Sequence, residues 1–323
     1  MKFRALIAAA SVLFSATALA QAPSAGAYPS KTVRLVIPFP PGGSNDIIGR
    51  FLATRLAERL GVPVVVENKA GADGLIGTQQ VVQSEPDGHT LVIVSTSYTQ
   101  NPAIHKMPFD PLKALTPVAL LAAGGNVVAV HPSSKMGSIR DLIAQEKAKP
   151  GSLRYASSGL GGFNHFGGEL FNVMAGTRLE HIPYKGGGPA MVDVMGGQVE
   201  VLFSTLVQAL PHIRTGKLKP LGVGSPARSP QIPDVPTISE AGVPGYDASV
   251  WWGILTRAGA PAAAVTRLNT EINAILREPD FVRRLENEAV TPTPDTPEAF
   301  ARLIEVEMQK WARIAREANI RGN

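Results

Sequence analysis

Two glycine-rich stretches carry the residue types best able to do chemistry. In the first, Pro40-Pro41-Gly42-Gly43 runs into Ser44, Asn45 and Asp46. It follows the apolar run Val33 to Phe39 and precedes a helical pattern at Ile47, Ile48, Phe51, Leu52 and Leu56. In the second, Ser157-Ser158-Gly159-Leu160-Gly161-Gly162 precedes a helical segment whose first turn holds Asn164 and His165. A glycine-rich turn from strand to helix aims unspent backbone N–H groups at the positive helix end, which suits a carboxylate or phosphate. The same residues also serve an ordinary strand-to-helix turn, with Ser44, Asn45 or Asp46 as the N-cap. Gly42-Gly43 lacks the later glycine of a dinucleotide fingerprint, and no lysine follows at the Walker A spacing.

Other chemistry does not assemble. His89, His105, His131, His165, His181 and His212 are scattered, with no H-E-x-x-H pattern. His131 and His181 read as structural. His165 either faces a ligand or caps and packs its loop. No nucleophile elbow surrounds Ser157, Ser158 or Ser204. Asp46, Asp73 and Asp87 lie in or near turns, where aspartate often caps. Without a nucleophile, base and orienting group, binding is favoured over catalysis. Loop amides can replace the water around a carboxylate without bringing a full positive charge.

The elements that must hold these loops alternate. Continuous apolar strands are expected at 33–39, 62–67 and 90–95, with helices at about 46–59 and 76–84 between them. Such strands imply a parallel sheet covered on both faces, with ligands at the carboxyl ends of its strands. Thr96 to Gln100 forms a polar mouth there. Two apolar runs follow at 118–123 and 126–130, the second a candidate crossing strand, and then a helix at about 138–147 capped by Ser138. A second unit repeats the logic, with strands at 153–156, 180–184, 199–203 and 218–224 and helices at 163–174, 190–195 and 206–214. Thr237 and Glu240 suit the capping box of a short helix ending at Gly242. Ser249 to Arg257 reads as a return strand whose adjacent Trp251 and Trp252 face opposite sides. Long helices at about 261–277 and 297–318 finish the chain, separated by Pro279 and the 291–297 segment. Leu303, Val306, Trp311 and Ile314 form the packing stripe of the last.

The chain has 323 residues and no cysteine, which removes disulfides, thiolate metal sites and cysteine nucleophiles. Residues 1–20 read as a signal peptide. Lys2 and Arg4 precede an apolar stretch, and Ala18-Leu19-Ala20 offers a cleavage site. The apolar run is short for a membrane anchor. Subtracting Lys2 and Arg4 from 31 basic residues leaves 29 against 26 acidic ones, and no basic cluster supports nucleic-acid or membrane binding. The remaining ~300 residues suffice for two domains or one large α/β domain.

The motifs also occur in a specific order: Val36-Ile37-Pro38-Phe39-Pro40-Pro41-Gly42-Gly43 with Asp46, Val64-Val65-Val66-Glu67-Asn68, and Pro86-Asp87-Gly88-His89-Thr90-Leu91. Then come Tyr155-Ala156-Ser157-Ser158-Gly159, His181-Ile182-Pro183-Tyr184-Lys185-Gly186, Gly196-Gly197-Gln198-Val199, Pro233-Asp234-Val235-Pro236-Thr237 and Trp252-Gly253. Over nearly the whole mature chain this resembles the periplasmic solute-binding proteins of the tripartite tricarboxylate transporter family, the Bug or TctC-like receptors. The resemblance implies an α/β, two-lobed periplasmic binding protein fold (type II), each lobe a mostly parallel sheet flanked by helices. Lobe one would comprise 28–124 plus 248–323 and lobe two 125–247.

The resemblance further implies a monomeric periplasmic receptor with no cofactor and no nucleic-acid partner. It would hand a small carboxylate to a two-subunit membrane permease; the alternative is a sensor subunit that presents its closed form to a signalling partner. The ligand would lie between Pro41, Gly43, Ser44, Asp46, Ala72, Asp73 and Gly74 of lobe one and Ser158, Gly159, Gly162, His165, Ser204 and Thr205 of lobe two. Ser97 and Tyr98 would line the floor, and Asp46 would shape its loop. Asp73 stands where many members carry glycine, and Ser204 where many carry an acid. The second departure favours a di- or tricarboxylate, or an aromatic carboxylate, over an amino acid.

Overall fold

The computed structural model describes residues 28–317 and Ile320; the leader expected over 1–20 lies outside the described residues. Strand β1 (Val33–Ile37) enters α1 (Ser44–Leu60), and β2 (Val64–Asn68) follows. Ile48, Leu52, Ala53 and Leu56 form the buried stripe of α1, which ends at Gly61 in the left-handed conformation that glycine adopts without a Cβ clash. A 3-10 turn (Ala72–Gly74) leads into α2 (Leu75–Val82), then β3 (Thr90–Ser95) and a single helical turn, α3 (Ser97–Gln100). Every residue of β3 is buried, as a strand covered on both faces requires.

Strand β4 (Leu115–Val130) is one element of 16 residues, where two separate runs were expected. Gly124-Gly125, which looked like a break, is the place where it changes sheets. A side chain at Gly125 would meet Ser225 Oγ at 2.8 Å, so glycine permits the close passage. The second unit contains α4 (Ile139–Ala148), β5 (Arg154–Ser157), α5 (Phe163–Ala175), β6 (Glu180–Pro183), α6 (Gly187–Met195), β7 (Val201–Thr205), α7 (Leu206–Arg214) and β8 (Lys219–Val223). Ser138 Oγ caps α4 by accepting the Asp141 amide at 3.1 Å. The chain returns through β9 (Ser249–Arg257), α8 (Ala262–Ile275), α9 (Pro279–Asn287), β10 (Val290–Pro292) and α10 (Pro297–Glu317).

The first sheet runs β2-β1-β3-β9-β4-β10 and the second β6-β5-β7-β4-β8. Strands β2-β1-β3 and β6-β5-β7 are the parallel cores. In the second sheet only β4 opposes its neighbours. The first sheet is mixed, because β9, β4 and β10 continue it by antiparallel pairs.

Several local expectations change. Pro279 lies between the two long helices as expected, and it also opens an additional helix, α9, from its first turn, where a missing N–H costs nothing. Thr237 and Glu240 make both reciprocal capping-box bonds (2.9 and 3.0 Å), yet the segment closes as turns without a helix. The buried stripe of α10 is Phe300, Ile304, Glu307, Trp311 and Ala315, while Val306 is exposed. Trp252 and Trp251 occupy opposite faces of β9, in different core clusters. Trp252 Nε1 donates to Asn45 Oδ1 at 3.2 Å, fixing the start of α1 to the sheet. Among the described residues no helix is long and apolar enough to cross a membrane.

Candidate functional site

A cavity of about 80 Å³ lies between the two sheets. The first lobe contributes Phe39 to Pro41, Gly43 to Asn45, Ser95 and Ser97; the second contributes Ser158, Phe163, Asn164, Gly186 to Pro189, Thr205 and Gln208. None of the lining residues is acidic, basic or histidine. Four helices begin at its wall: α1 after Gly43, α5 after Gly162, α6 after Gly186 and α7 after Thr205. None of these N-caps spends a side-chain oxygen on the first turn. Each helix start carries about half a positive charge, and in partly buried geometry such a terminus stabilises an anion by up to about 2 kcal/mol. The cavity is therefore electropositive without a basic side chain. Thr205 Oγ1 and Asn164 Oδ1 are buried without partners, leaving polar groups free beside it.

The first-lobe loop is built around Asp46. Its Oδ2 accepts the Gly42 amide at 3.0 Å, and its Oδ1 accepts Arg50 Nε at 2.9 Å and Asn68 Nδ2 at 2.8 Å. Asn68 also donates to the Phe39 carbonyl, so one network ties both ends of the loop. Burial alone would raise the carboxyl, but the bonds from Arg50, Gly42 and Asn68 outweigh it and hold the group below the usual carboxylate value. Asp46 sits behind the loop and does not line the cavity. Gly43 takes the N-cap position that Ser44, Asn45 or Asp46 had been expected to fill.

The second-lobe loop rests on a buried histidine stack. His181 lies between Tyr155 and His165, with ring centroids 4.8 and 4.0 Å away. Ser157 Oγ lies 2.6 Å from His181 Nε2 and accepts the Gly159 amide, while His165 Nδ1 accepts the Gly161 amide at 3.0 Å. Burial pushes His165 down to about 4, with His105 adding to it. It pushes His181 down to about 3, helped by His165, so both rings are neutral props at neutral pH. The contacts His165 makes here are those of packing and loop support. Across the cleft, the Phe163 amide donates to Ser97 Oγ at 3.1 Å, joining the lobes.

The expected site residues separate into groups. Pro41, Gly43, Ser44, Ser97, Ser158 and Thr205 line the cavity. Ala72, Asp73, Gly74 and Gly159 instead border a more open outer chamber of about 810 Å³, which shares Phe39, Pro40, Ser158 and Gly186 with the inner one. Asp46, Gly162, His165 and Ser204 line neither. Ser204 is buried with its hydroxyl unpartnered. Tyr98 is turned away from the floor, its hydroxyl donating to the Pro111 carbonyl. Asn45, Asn164, Gly186 to Pro189 and Gln208 were missed as site residues. The signal for α6 is present in Gly186-Gly187-Gly188-Pro189, where a proline marks a helix start, and the helix opens at Gly187, three residues before the expected 190.

A model of the tripartite tricarboxylate transporter family receptor matches residues 48–320. Protein BugT of Bordetella pertussis is 37% identical over 320 residues, covering 98% of each chain. A solved structure of a periplasmic transporter superposes with a TM-score of 0.88 at 40% identity, over 91% of this chain and 99% of the other. A protein of R. palustris, solved with adipate, also superposes with a TM-score of 0.88, at 33% identity and the same coverage. The architecture is the two-lobed α/β fold of these periplasmic binding proteins.

Proposed function

This chain belongs to the tripartite tricarboxylate transporter family of receptors, and we propose that it captures a small organic acid between its lobes and delivers it to a membrane permease of two subunits. As a member of that family it is a solute-binding protein and not an enzyme. The observation that carries the reading is the convergence of four uncapped helix starts on a cavity without charged side chains. Amides and dipoles there can replace the hydration of a carboxylate, and the small inner volume suits its head group. The outer chamber offers room for a longer tail. A di- or tricarboxylate, or an aromatic carboxylate, is favoured over an amino acid because no acidic side chain lines the inner cavity to pair with an ammonium group. The adipate bound by the R. palustris relative falls in the favoured class.

The lobes divide between Gly124 and Gly125 and again near residue 247. Support comes from β4, whose pairing with β9 ends with Gly125 against Ser249 and whose pairing with β7 begins at Asn126, within one residue of that division. Closure of the lobes is a population shift, driven only by higher affinity for the closed form. Delivery places the mature chain in the periplasm, after removal of residues 1–20.

A thermal-shift screen over carboxylates, sugars and amino acids tests the reading. At ligand concentrations 100 times Kd, binding adds about 2.7 kcal/mol of stability. For a chain of this size that raises the midpoint by roughly several degrees. At least one carboxylate should give this response. A response confined to sugars or cations would overturn the reading.

A further inference from the structure

Asp73 borders the outer chamber and is not among the residues that line the inner cavity. It belongs to a strained turn: Ala72 and Asp73 are consecutive non-glycine residues in the left-handed region, at φ 46° and 47°. Asn101 Nδ2 holds that turn by donating to the Asp73 carbonyl at 3.1 Å. The side chain crosses from the first lobe to the second. A Cβ built on Gly162 would lie 2.7 Å from Asp73 Oδ1, so the carboxyl rests on the N-cap of α5. Both oxygens are buried, and neither has a hydrogen-bond partner.

The surroundings do not neutralise it. The segment after the 101–103 turn presents His105 and Lys106, the loop before α6 presents Tyr184 and Lys185, and α5 carries His165. Helix α2 has no titratable side chain, and Tyr98 of α3 points away. None of these groups reaches the carboxylate oxygens. An ionised carboxylate shut away from water without a partner is costly, whereas the neutral acid costs far less. Burial accordingly pushes the Asp73 carboxyl up to about 7, with the nearby Ser97 hydroxyl offsetting part of that without a well-formed bond.

We infer that Asp73 is a proton-carrying clamp, closing over the start of α5 in its neutral form, so that this receptor takes up its acid together with a proton. The inference rests on the binding site proposed above. When the lobes part, Asp73 returns to water and to the ordinary carboxylate range. Closure then binds a proton at any pH between that range and about 7. The closed form is favoured at the acid end of this window and loses that advantage as pH rises; above the window both forms are ionised and the dependence ends.

Calorimetry with adipate at about pH 6 and about pH 8.5 tests the clamp. Wild-type affinity should fall about tenfold between the two, with proton uptake at the lower pH only. Asp73→Asn should bind equally at both. A wild-type affinity that does not change, or a fall shared by the variant, overturns the inference. A second arm uses any acid that the thermal-shift screen shows to bind: the rise in unfolding midpoint that it causes should shrink by about a few degrees from about pH 6 to about pH 8.5 in the wild type and stay constant in the variant. A rise that is constant in the wild type, or that shrinks equally in both, also overturns the clamp. Failure of adipate alone counts against adipate as the ligand, and the second arm still decides the role of Asp73; failure of every acid overturns the proposed site and the clamp with it.

Discussion

Asp46→Ala is expected to cost about 2–4 kcal/mol of stability and most of the ligand affinity. The change removes an acceptor that serves the Gly42 amide, Arg50 Nε and Asn68 Nδ2 together. Unpaired donors left in a part-buried site cost about 1–3 kcal/mol each where water cannot reach them. Arg50 is half-exposed, so the ion pair itself adds little and the amide and Asn68 carry the loss. The affinity loss follows because Gly42 and Gly43 would no longer be held for the ligand. Denaturant unfolding and calorimetry read the two effects separately. The pH dependence has a fixed sign. The folded-state value of Asp46 is depressed, so its contribution is present above the ordinary carboxylate value and fades as pH falls through the depressed one. Wild type and Asp46→Asn should therefore begin to converge in stability below about pH 4 and meet only once pH has fallen past the depressed value.

Gly43→Leu is expected to abolish binding while leaving the fold intact. Gly43 sits at φ −77° and ψ 165°, extended backbone that any residue adopts. A Cβ there would touch only the Pro40 carbonyl, at an ordinary 3.5 Å, so the side chain has open space before it. That space is the cavity, whose 80 Å³ a leucine would largely fill. Affinity should fall at least about 100-fold, equivalent to roughly 2.8 kcal/mol. The unfolding midpoint should stay close to that of wild type. Retained affinity would place the acid elsewhere. Asp46→Ala damages the loop and with it the fold; Gly43→Leu damages the space alone.

The sequence disclosed those features whose signal is local. Strand β3 is apolar throughout because it is covered on both faces, and its expected and observed limits coincide. The loops at 40–46 and 157–162 could be read because glycine and capping residues mark a strand-to-helix turn wherever it occurs. What failed depended on distant partners. Strand β4 spans both sheets because β9, β7, β8 and β10 all pair with it, and Gly124-Gly125 resembles a break when those partners are unseen. Pro279 both follows the end of one helix and opens the next, and α9 was unexpected because its buried residues, Phe281 and Leu285, pack into a core built from distant segments. His165 has the position of a ligand contact, and its stacking on His181, 16 residues along the chain, depends on a partner that the local sequence does not mark. Asp73 was visible as an acid in a glycine turn, while its contact with Gly162 exists only once the lobes meet.

Where a bound acid sits is the most direct measure of the central claim. A crystal structure of the mature protein with adipate should place one carboxylate in the inner cavity. Its oxygens should lie about 3 Å from backbone amides in the first turns of the helices that begin after Gly43, Gly162, Gly186 or Thr205. Adipate seated instead in the groove lined by Arg50, Arg55 and Arg284, with the inner cavity empty, would contradict the account.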